Sequence, residues 1–251
     1  MERTGIIIVA GGSGTRCGGT LPKQFALVGG QPVLARTINV CAEALPGAEI
    51  VVVLPERYTE FWKDFAARFE VAKHHTVTGG TERFDSVRRG IEALRSDPEL
   101  IAVQDGVRPL GSAALFHRVA ADAARYGAAI PVVETVDSLR EVDAADADGL
   151  PSSHIVDRRR FRSVQTPQIF RAELLRSAYE APYRAEFTDD ASVVEAAGAH
   201  IFLSQGERSN LKITTPEDFI LAEAILAARE EAGEEDGRET GNSGATAGTC
   251  K

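Results

Sequence analysis

The chain has 251 residues, 43% of them hydrophobic and 26% charged, with a formal net charge of −9 at neutral pH. That length suits one well-buried core, and the acidic balance speaks against a nucleic-acid-binding protein, which needs a basic face. No run of about 18 apolar residues occurs, so no membrane span is expected, and the short apolar run after Gly5 is too brief for a signal-peptide core.

In chain order, Gly5 to Ala10 reads as a buried strand, as do Ile50 to Leu54, Leu100 to Val103 and Ala128 to Val133. Val71 to Val77 and His200 to Leu203 are weaker strand candidates. Unbroken apolar runs of this kind suit strands covered on both faces. Between them, Tyr58, Phe61, Trp62, Phe65 and Phe69 keep a helical spacing, and so do Phe84, Val87, Ile91 and Leu94. Thr188-Asp-Asp-Ala-Ser192 reads as the capped start of a helix ending at Gly198. Thr215-Pro216-Glu217-Asp218 is a helix start, with proline at the first helical position and acids in the first turn. The alternation of strand and helix predicts an α/β fold of the Rossmann-like kind: a mostly parallel sheet flanked by helices.

Two segments break the rhythm. Residues 134–165 hold two short alternating stretches around an acidic, Gly/Pro-containing middle, which reads as a hairpin tip. Residues 229–251 carry three basic and six acidic residues with no periodicity, so a disordered acidic tail is expected after a single domain spanning 1–228. Cys17, Cys41 and Cys250 are too few and too scattered for a disulfide framework or a zinc site, which points to a reducing, cytoplasmic setting. The five histidines show no ligand spacing.

The chemistry is concentrated after the first strand, in Ala10-Gly-Gly-Ser-Gly-Thr-Arg-Cys-Gly-Gly-Thr-Leu-Pro-Lys-Gln-Phe25. A glycine-rich loop there sits at the carboxyl end of the sheet, where open α/β folds bind ligands. Its backbone N–H groups can reach phosphate oxygens without Cβ atoms in the way. The string is neither a P-loop nor a dinucleotide fingerprint. Instead Arg16 and Lys23 lie seven residues apart on one loop. Two cations and a glycine cradle suit a triphosphate whose α-phosphorus is under attack.

This string resembles the signature of nucleotidyltransferases acting on sugar and polyol phosphates. With four further blocks the chain resembles the 2-C-methyl-D-erythritol 4-phosphate cytidylyltransferase family from residue 5 to about 228. The other blocks are Gly79-Gly-Thr-Glu-Arg-Phe-Asp-Ser-Val87, Gln104-Asp-Gly-Val-Arg-Pro109, Val164-Gln-Thr-Pro-Gln168 and Asn210-Leu-Lys-Ile-Thr-Thr-Pro-Glu-Asp218. The resemblance implies transfer of CMP from CTP to a polyol phosphate, with release of pyrophosphate. Arg16, Lys23, Arg158 and Lys212 take catalytic roles in it. Ala10, Gly11, Gly12, Ser13, Gly14, Gly80, Thr81, Arg83 and Ser86 receive the nucleotide. Asp105, Gly106, Arg108, Ser138, Arg158, Thr166 and Lys212 face the acceptor. Asp105 is the expected ligand of Mg²⁺ or Mn²⁺. The resemblance makes the 134–165 hairpin a protruding β-arm and implies a homodimer in which Arg158 serves the neighbouring subunit, whereas Arg159, Arg160 and Arg162 read as a solvated face. Gly11 and Ser138 replace alanine and threonine common in relatives. A ribitol 5-phosphate cytidylyltransferase and a non-catalytic nucleotide-binding protein on the same fold remain the alternatives.

Overall fold

Three consecutive isoleucines, all fully buried, form the centre of β1 (Thr4–Val9). The computed structural model describes residues 2–11, 21–145 and 151–241. After β1 the described chain re-enters at Leu21 and makes a 3-10 turn over Lys23–Phe25 and a small hairpin, β2 (Leu27–Val28) with β3 (Gln31–Pro32). There follow α1 (Val33–Ala44), β4 (Glu49–Leu54), α2 (Thr59–Ala66), β5 (His75–Thr78), α3 (Arg83–Ala93), β6 (Leu100–Asp105) and α4 (Ala113–Tyr126). The second half holds β7 (Ala128–Glu134), β8 (Arg140–Ala145), β9 (Pro151–Ile155), β10 (Arg162–Val164), β11 (Gln168–Arg171), α5 (Ala172–Ala178), α6 (Asp190–Ala196), β12 (Phe202–Gln205) and α7 (Pro216–Gly241).

The main sheet runs β10-β7-β11-β6-β1-β4-β5, with β12 also pairing β7. The β1, β4, β5 and β6 pairings are parallel, whereas β11 lies antiparallel between β6 and β7. This is the mostly parallel α/β sheet that the alternation predicts. Strand order reverses at β1, whose chain leaves toward β4 on one side and meets β6 on the other. Such a reversal opens a crevice beyond the carboxyl ends of the strands. Burial explains the order: one apolar layer joins alternate residues of β1, β4 and β6 to α1, α2 and α4, and a second joins the other alternates to α3, α5 and α6. Only strands apolar on both faces can occupy the middle of such a sandwich.

Several boundaries differ from the expectations. The strand expected from Val71 begins at His75, because the preceding backbone is engaged by α1: Ala72 N donates to Asn39 Oδ1 at 2.8 Å. β6 runs two residues past Val103, so Asp105 is the last residue of the strand rather than part of the following loop. β12 starts two residues late, at Phe202. The region 134–165 does form a hairpin, β8 against β9, and β10 closes its base by pairing with β7; the expected tip falls partly on residues 146–150, outside those described. The disordered tail expected from 229 meets α7, which is continuous to Gly241. Glu, Ala and Arg dominate 227–231, and adding such residues to an existing helix costs little compared with starting one. Residues 242–251 lie outside the description.

Candidate active site

A cavity of about 380 Å³ opens at the reversal point. Its floor is Val9, Ala10 and Gly11, at the end of β1; the β5–α3 turn supplies Gly80, Thr81, Glu82, Arg83 and Ser86. Asp105 and Val107 come from the end of β6, Lys23 and Gln24 from the chain re-entering after the glycine loop, and Lys212 from the approach to α7. Five blocks separated by nearly 200 residues of sequence thus contribute to one cleft.

Each contributor is braced by local chemistry. Gln24 donates its side-chain amide to Ala10 O at 3.1 Å, and the adjacent Phe25 is buried among Tyr58, Phe61, Trp62 and Phe65. Lys23 Nζ donates to Ile213 O at 2.9 Å, tying the loop exit to the segment that carries Lys212. That segment is fixed in turn by Asp218, which accepts from Thr214 N at 2.6 Å and Thr215 N at 2.8 Å in the first turn of α7. Burial raises the Asp218 carboxyl, but the Thr214 and Thr215 donors outweigh it and hold it below the usual carboxylate range.

The Gly79-Gly80 turn is tight for a steric reason. A Cβ on Gly80 would lie 2.2 Å from Asp85 Cβ, and one on Gly79 2.7 Å from Ser86 Oγ. Gly80 N donates to Ser86 Oγ at 3.2 Å, and Arg89 donates to Gly79 O at 2.6 Å. Asp85 forms a reciprocal capping box with Glu82, which is its role in the chain here. Gly11 is different: a Cβ there would sit 3.7 Å from Ser86 Oγ, an ordinary contact.

Asp105 is the electrostatic centre. Its Oδ2 lies 3.0 Å from Lys212 Nζ and 3.3 Å from Arg108 Nε. Burial pushes its carboxyl up; Lys212, Arg83 and Arg108 together outweigh burial and hold it below the usual carboxylate range. Burial pushes the Arg108 guanidinium down, and here burial prevails over Asp105, yet arginine stays protonated throughout the range in which proteins fold. Asp105 is therefore an ionised carboxylate flanked by Lys212, Arg83 and Arg108. Among the described residues no three His, Cys, Asp or Glu side chains gather into a metal-binding group.

The structure brings Ala10, Gly11, Lys23, Gly80, Thr81, Arg83, Ser86, Asp105 and Lys212 to this one cavity. Gly12, Ser13, Gly14 and Arg16 lie outside the described residues, as do Cys17 and Cys250; Cys41 is buried with a free thiol. Three other candidates stand behind the wall. Thr166 is buried and accepts from Asp105 N at 3.0 Å, so its hydroxyl holds the strand end. Arg108 donates to Asn210 O at 2.8 Å and to Asp105, bracing the carboxylate from below. Gly106 allows β6 to approach β1, since a Cβ there would meet Ala10 Cβ at 2.9 Å. Ser138 and Arg158 do not reach the cavity of their own chain. Both are exposed on the arm, where Arg158 donates to Val136 O. Sequence reasoning gave no role to Gln24 or Asn210 and placed Asp190 only in a helix-start string. Their importance lies in contacts across 14 to 107 residues, which spacing does not reveal.

The sequence profile of the 2-C-methyl-D-erythritol 4-phosphate cytidylyltransferase family matches residues 4–228. The chain belongs to this family. The Bacteroides thetaiotaomicron 2-C-methyl-D-erythritol 4-phosphate cytidylyltransferase is 43% identical over 222 residues, covering 88% of this chain and 98% of the relative. The protein of that name from Geobacillus kaustophilus is 38% identical over 226 residues, covering 89% and 96%. Among solved structures, the Thermus thermophilus cytidylyltransferase is 33% identical with a TM-score of 0.68, over 90% of this chain and 98% of its own. The 4-diphosphocytidyl-2C-methyl-D-erythritol synthase of Anaerococcus prevotii is 29% identical with a TM-score of 0.73, over 90% and 99%. The matched span takes in every element that lines the cavity, so family membership and the cleft concern the same part of the chain.

Proposed function

We propose that this cleft transfers CMP from CTP to 2-C-methyl-D-erythritol 4-phosphate, giving 4-diphosphocytidyl-2-C-methyl-D-erythritol and pyrophosphate, a step of isoprenoid biosynthesis. The observation that carries the reading is the convergence of Lys23, Lys212 and Asp105 on the glycine turn at Gly80, in a chain of this family. A phosphate oxygen of the acceptor attacks the α-phosphorus, the bond to the bridging oxygen breaks, and pyrophosphate leaves with that oxygen. The acceptor's phosphate is already largely a dianion at neutral pH, its second pKa being about 6, so no general base is required. This agrees with a cavity whose described lining contains no histidine.

What the protein supplies is alignment and charge. Lys23 and Lys212 offer ammonium groups to polyanions that must approach one another, and fixed cations at the reacting centre are commonly the largest contribution to such catalysis. The turn at Gly80 and Thr81, with Ser86 behind it, has bare backbone and a hydroxyl to meet the base. Arg83 completes the wall.

Asp105 suits Mg²⁺. It is a hard, ionised carboxylate at the cavity edge, and one or two carboxylates suffice for an ion carried mainly by phosphates and water. Such an ion supplies neutralisation of the triphosphate oxygens. The arm gives the dimer its rationale: Ser138 and Arg158 are remote from their own cavity, and Val136, Val142 and Ile155 leave large apolar surface exposed beside them. A second subunit that covers this surface would receive Arg158 at its acceptor site. The sparse cysteines and the buried free Cys41 support a cytoplasmic location, and no helix among the described residues is long and apolar enough to cross a membrane.

The test is pyrophosphate release from CTP with Mg²⁺, comparing methylerythritol phosphate, ribitol 5-phosphate and no acceptor. Release that depends on methylerythritol phosphate is expected. Release with ribitol 5-phosphate in preference would reassign the acceptor, and CTP binding without release under any condition would make the protein a nucleotide binder.

A further inference from the structure

Asp190 is fully buried, 0% exposed, and it is not needed as a helix cap. Its neighbour Asp189 caps α6 by accepting from Ser192 N at 2.9 Å, and Gln168 completes the start by donating to Asp189 at 2.8 Å and accepting from Ala191 N. The Asp190 carboxylate points elsewhere. It accepts from Arg83 Nη1 at 3.0 Å and Nη2 at 2.6 Å, a two-pronged pair, and from the Tyr179 hydroxyl at 2.7 Å. Phe84, next to Arg83, stacks on Tyr179 with ring centres 4.7 Å apart. The first turn of α3 is thus held at two successive residues by one acid–phenol unit. Arg83 itself remains 30% exposed, and the exposed part faces the cavity beside Gly80, Ser86 and Asp105.

Resting on the nucleotide-transfer reading, we propose that Asp190 is a positioning residue of the nucleotide site. With Tyr179 it fixes the Arg83 guanidinium on the cavity wall before CTP arrives. Two parallel N–H···O bonds orient a planar guanidinium as a single bond does not. A side chain ordered in advance loses less freedom on binding, so the nucleotide gains affinity from a contact Asp190 never makes itself. Arg83 also contributes to the field that keeps Asp105 ionised, so its placement bears on both ends of the cleft.

The experiment is calorimetric titration of CTP with Mg²⁺ into the wild type, Asp190→Asn, Tyr179→Phe, Arg83→Met and the double variant Arg83→Met/Asp190→Asn, with thermal midpoints recorded alongside. Asp190→Asn should weaken CTP binding at least about tenfold, the size of one lost charge-assisted hydrogen bond. Tyr179→Phe should weaken it less, and Asp190→Asn should add no further loss once Arg83 is gone. A lower thermal midpoint with unchanged CTP affinity would make Asp190 purely structural and overturn the proposal, as would additive losses in the double variant. If Asp190→Asn does not fold, Tyr179→Phe decides: unchanged affinity overturns. A wild type that does not bind CTP would instead defeat the functional reading on which the proposal rests.

Discussion

Lys212 places its ammonium 3.0 Å from Asp105, so a lysine 107 residues downstream closes the carboxylate end of the cleft. Lys212 is 45% exposed and Asp105 12%. The carboxylate is held by the fold while the lysine end stays in contact with solvent. Such a lysine is placed to meet an arriving phosphate while Arg108 stays with the carboxylate. Lys212→Met should therefore reduce turnover by about two orders of magnitude or more, the scale of a lost transition-state donor, while the fold survives. Steady-state pyrophosphate release together with circular dichroism checks this; a loss below tenfold would remove Lys212 from the reacting centre.

The same pair predicts an acid effect on stability. Asp105 has its folded pKa lowered below the unfolded value of about 3.9. Its contribution is thus fully present above that value and is lost as pH falls from there through the lower folded pKa. Asp105→Asn should be less stable than wild type at neutral pH, and the gap should narrow below about pH 4 as Asp105 of the unfolded wild-type chain takes up a proton. Urea unfolding at neutral pH and near pH 3 measures both. A gap that stays constant across that range would show that the ion pairs contribute nothing net.

Two glycines that line the cavity, Gly80 and Gly11, give a paired prediction. Gly80→Ala sets a Cβ 2.2 Å from Asp85 Cβ, so the turn must shift. A stability loss of about 1–3 kcal/mol and a raised KM for CTP are expected from that overlap. Gly11→Ala adds a Cβ 3.7 Å from Ser86 Oγ and should be nearly neutral in stability. Thermal unfolding and CTP kinetics of both variants check the contrast, and equal penalties would contradict the geometry.

Much of this was legible beforehand because it is local. The buried strands at Ile6, Val51 and Ile101 announce themselves as unbroken apolar runs, and the glycine loop's position follows from the strand before it. What was not legible depends on distant partners. β11 slips antiparallel between β6 and β7 with only Ile169 and Phe170 as its apolar content, too short a pattern to read. α1 buries alanine and threonine, and α4 alanine, together with their larger side chains, which blurs the helical stripe. Asp190 sits in a helix-start motif, and its own neighbour satisfies that motif. Its true partner, Arg83, is 107 residues away. Arg108 is expected from its motif either to orient Asp105 or to meet the second substrate, and it pairs with Asp105 at 3.3 Å; for Thr166, expected as a substrate contact, the motif reports that a residue belongs near a site without saying whether it faces the site or supports it.

Lys23 lines the cavity, and its Nζ donates to Ile213 O at 2.9 Å, so one substitution probes both the proposed catalytic role and the structural tie. Lys23→Ala should cost roughly 3 kcal/mol of transition-state stabilisation, comparable to a lost oxyanion donor. The lost tie to Ile213 should cost only about 1 kcal/mol of stability, as for a typical hydrogen bond. A turnover loss below tenfold would contradict the catalytic assignment, and a collapse of the fold would show the tie to be the larger role.

The arm prediction tests whether the active site is shared. Arg158 is exposed in its own chain, and its contact there is with Val136 O within the arm. If it serves the neighbouring cavity, Arg158→Ala and Lys23→Ala damage each active site from different subunits. Each homodimer is then inactive. A mixed dimer, however, has one site with both lesions and one site with neither. Unfolding and refolding the two variants together should restore about a quarter of wild-type turnover, since half of randomly paired dimers are mixed and each has one intact site. The measurement is pyrophosphate release from the mixture beside each variant alone at the same total concentration. Recovery would place Arg158 at the partner's cavity. No recovery, with native mass spectrometry showing that mixed dimers form, would place both residues at the site of a single chain and require the arm to fold back on its own subunit.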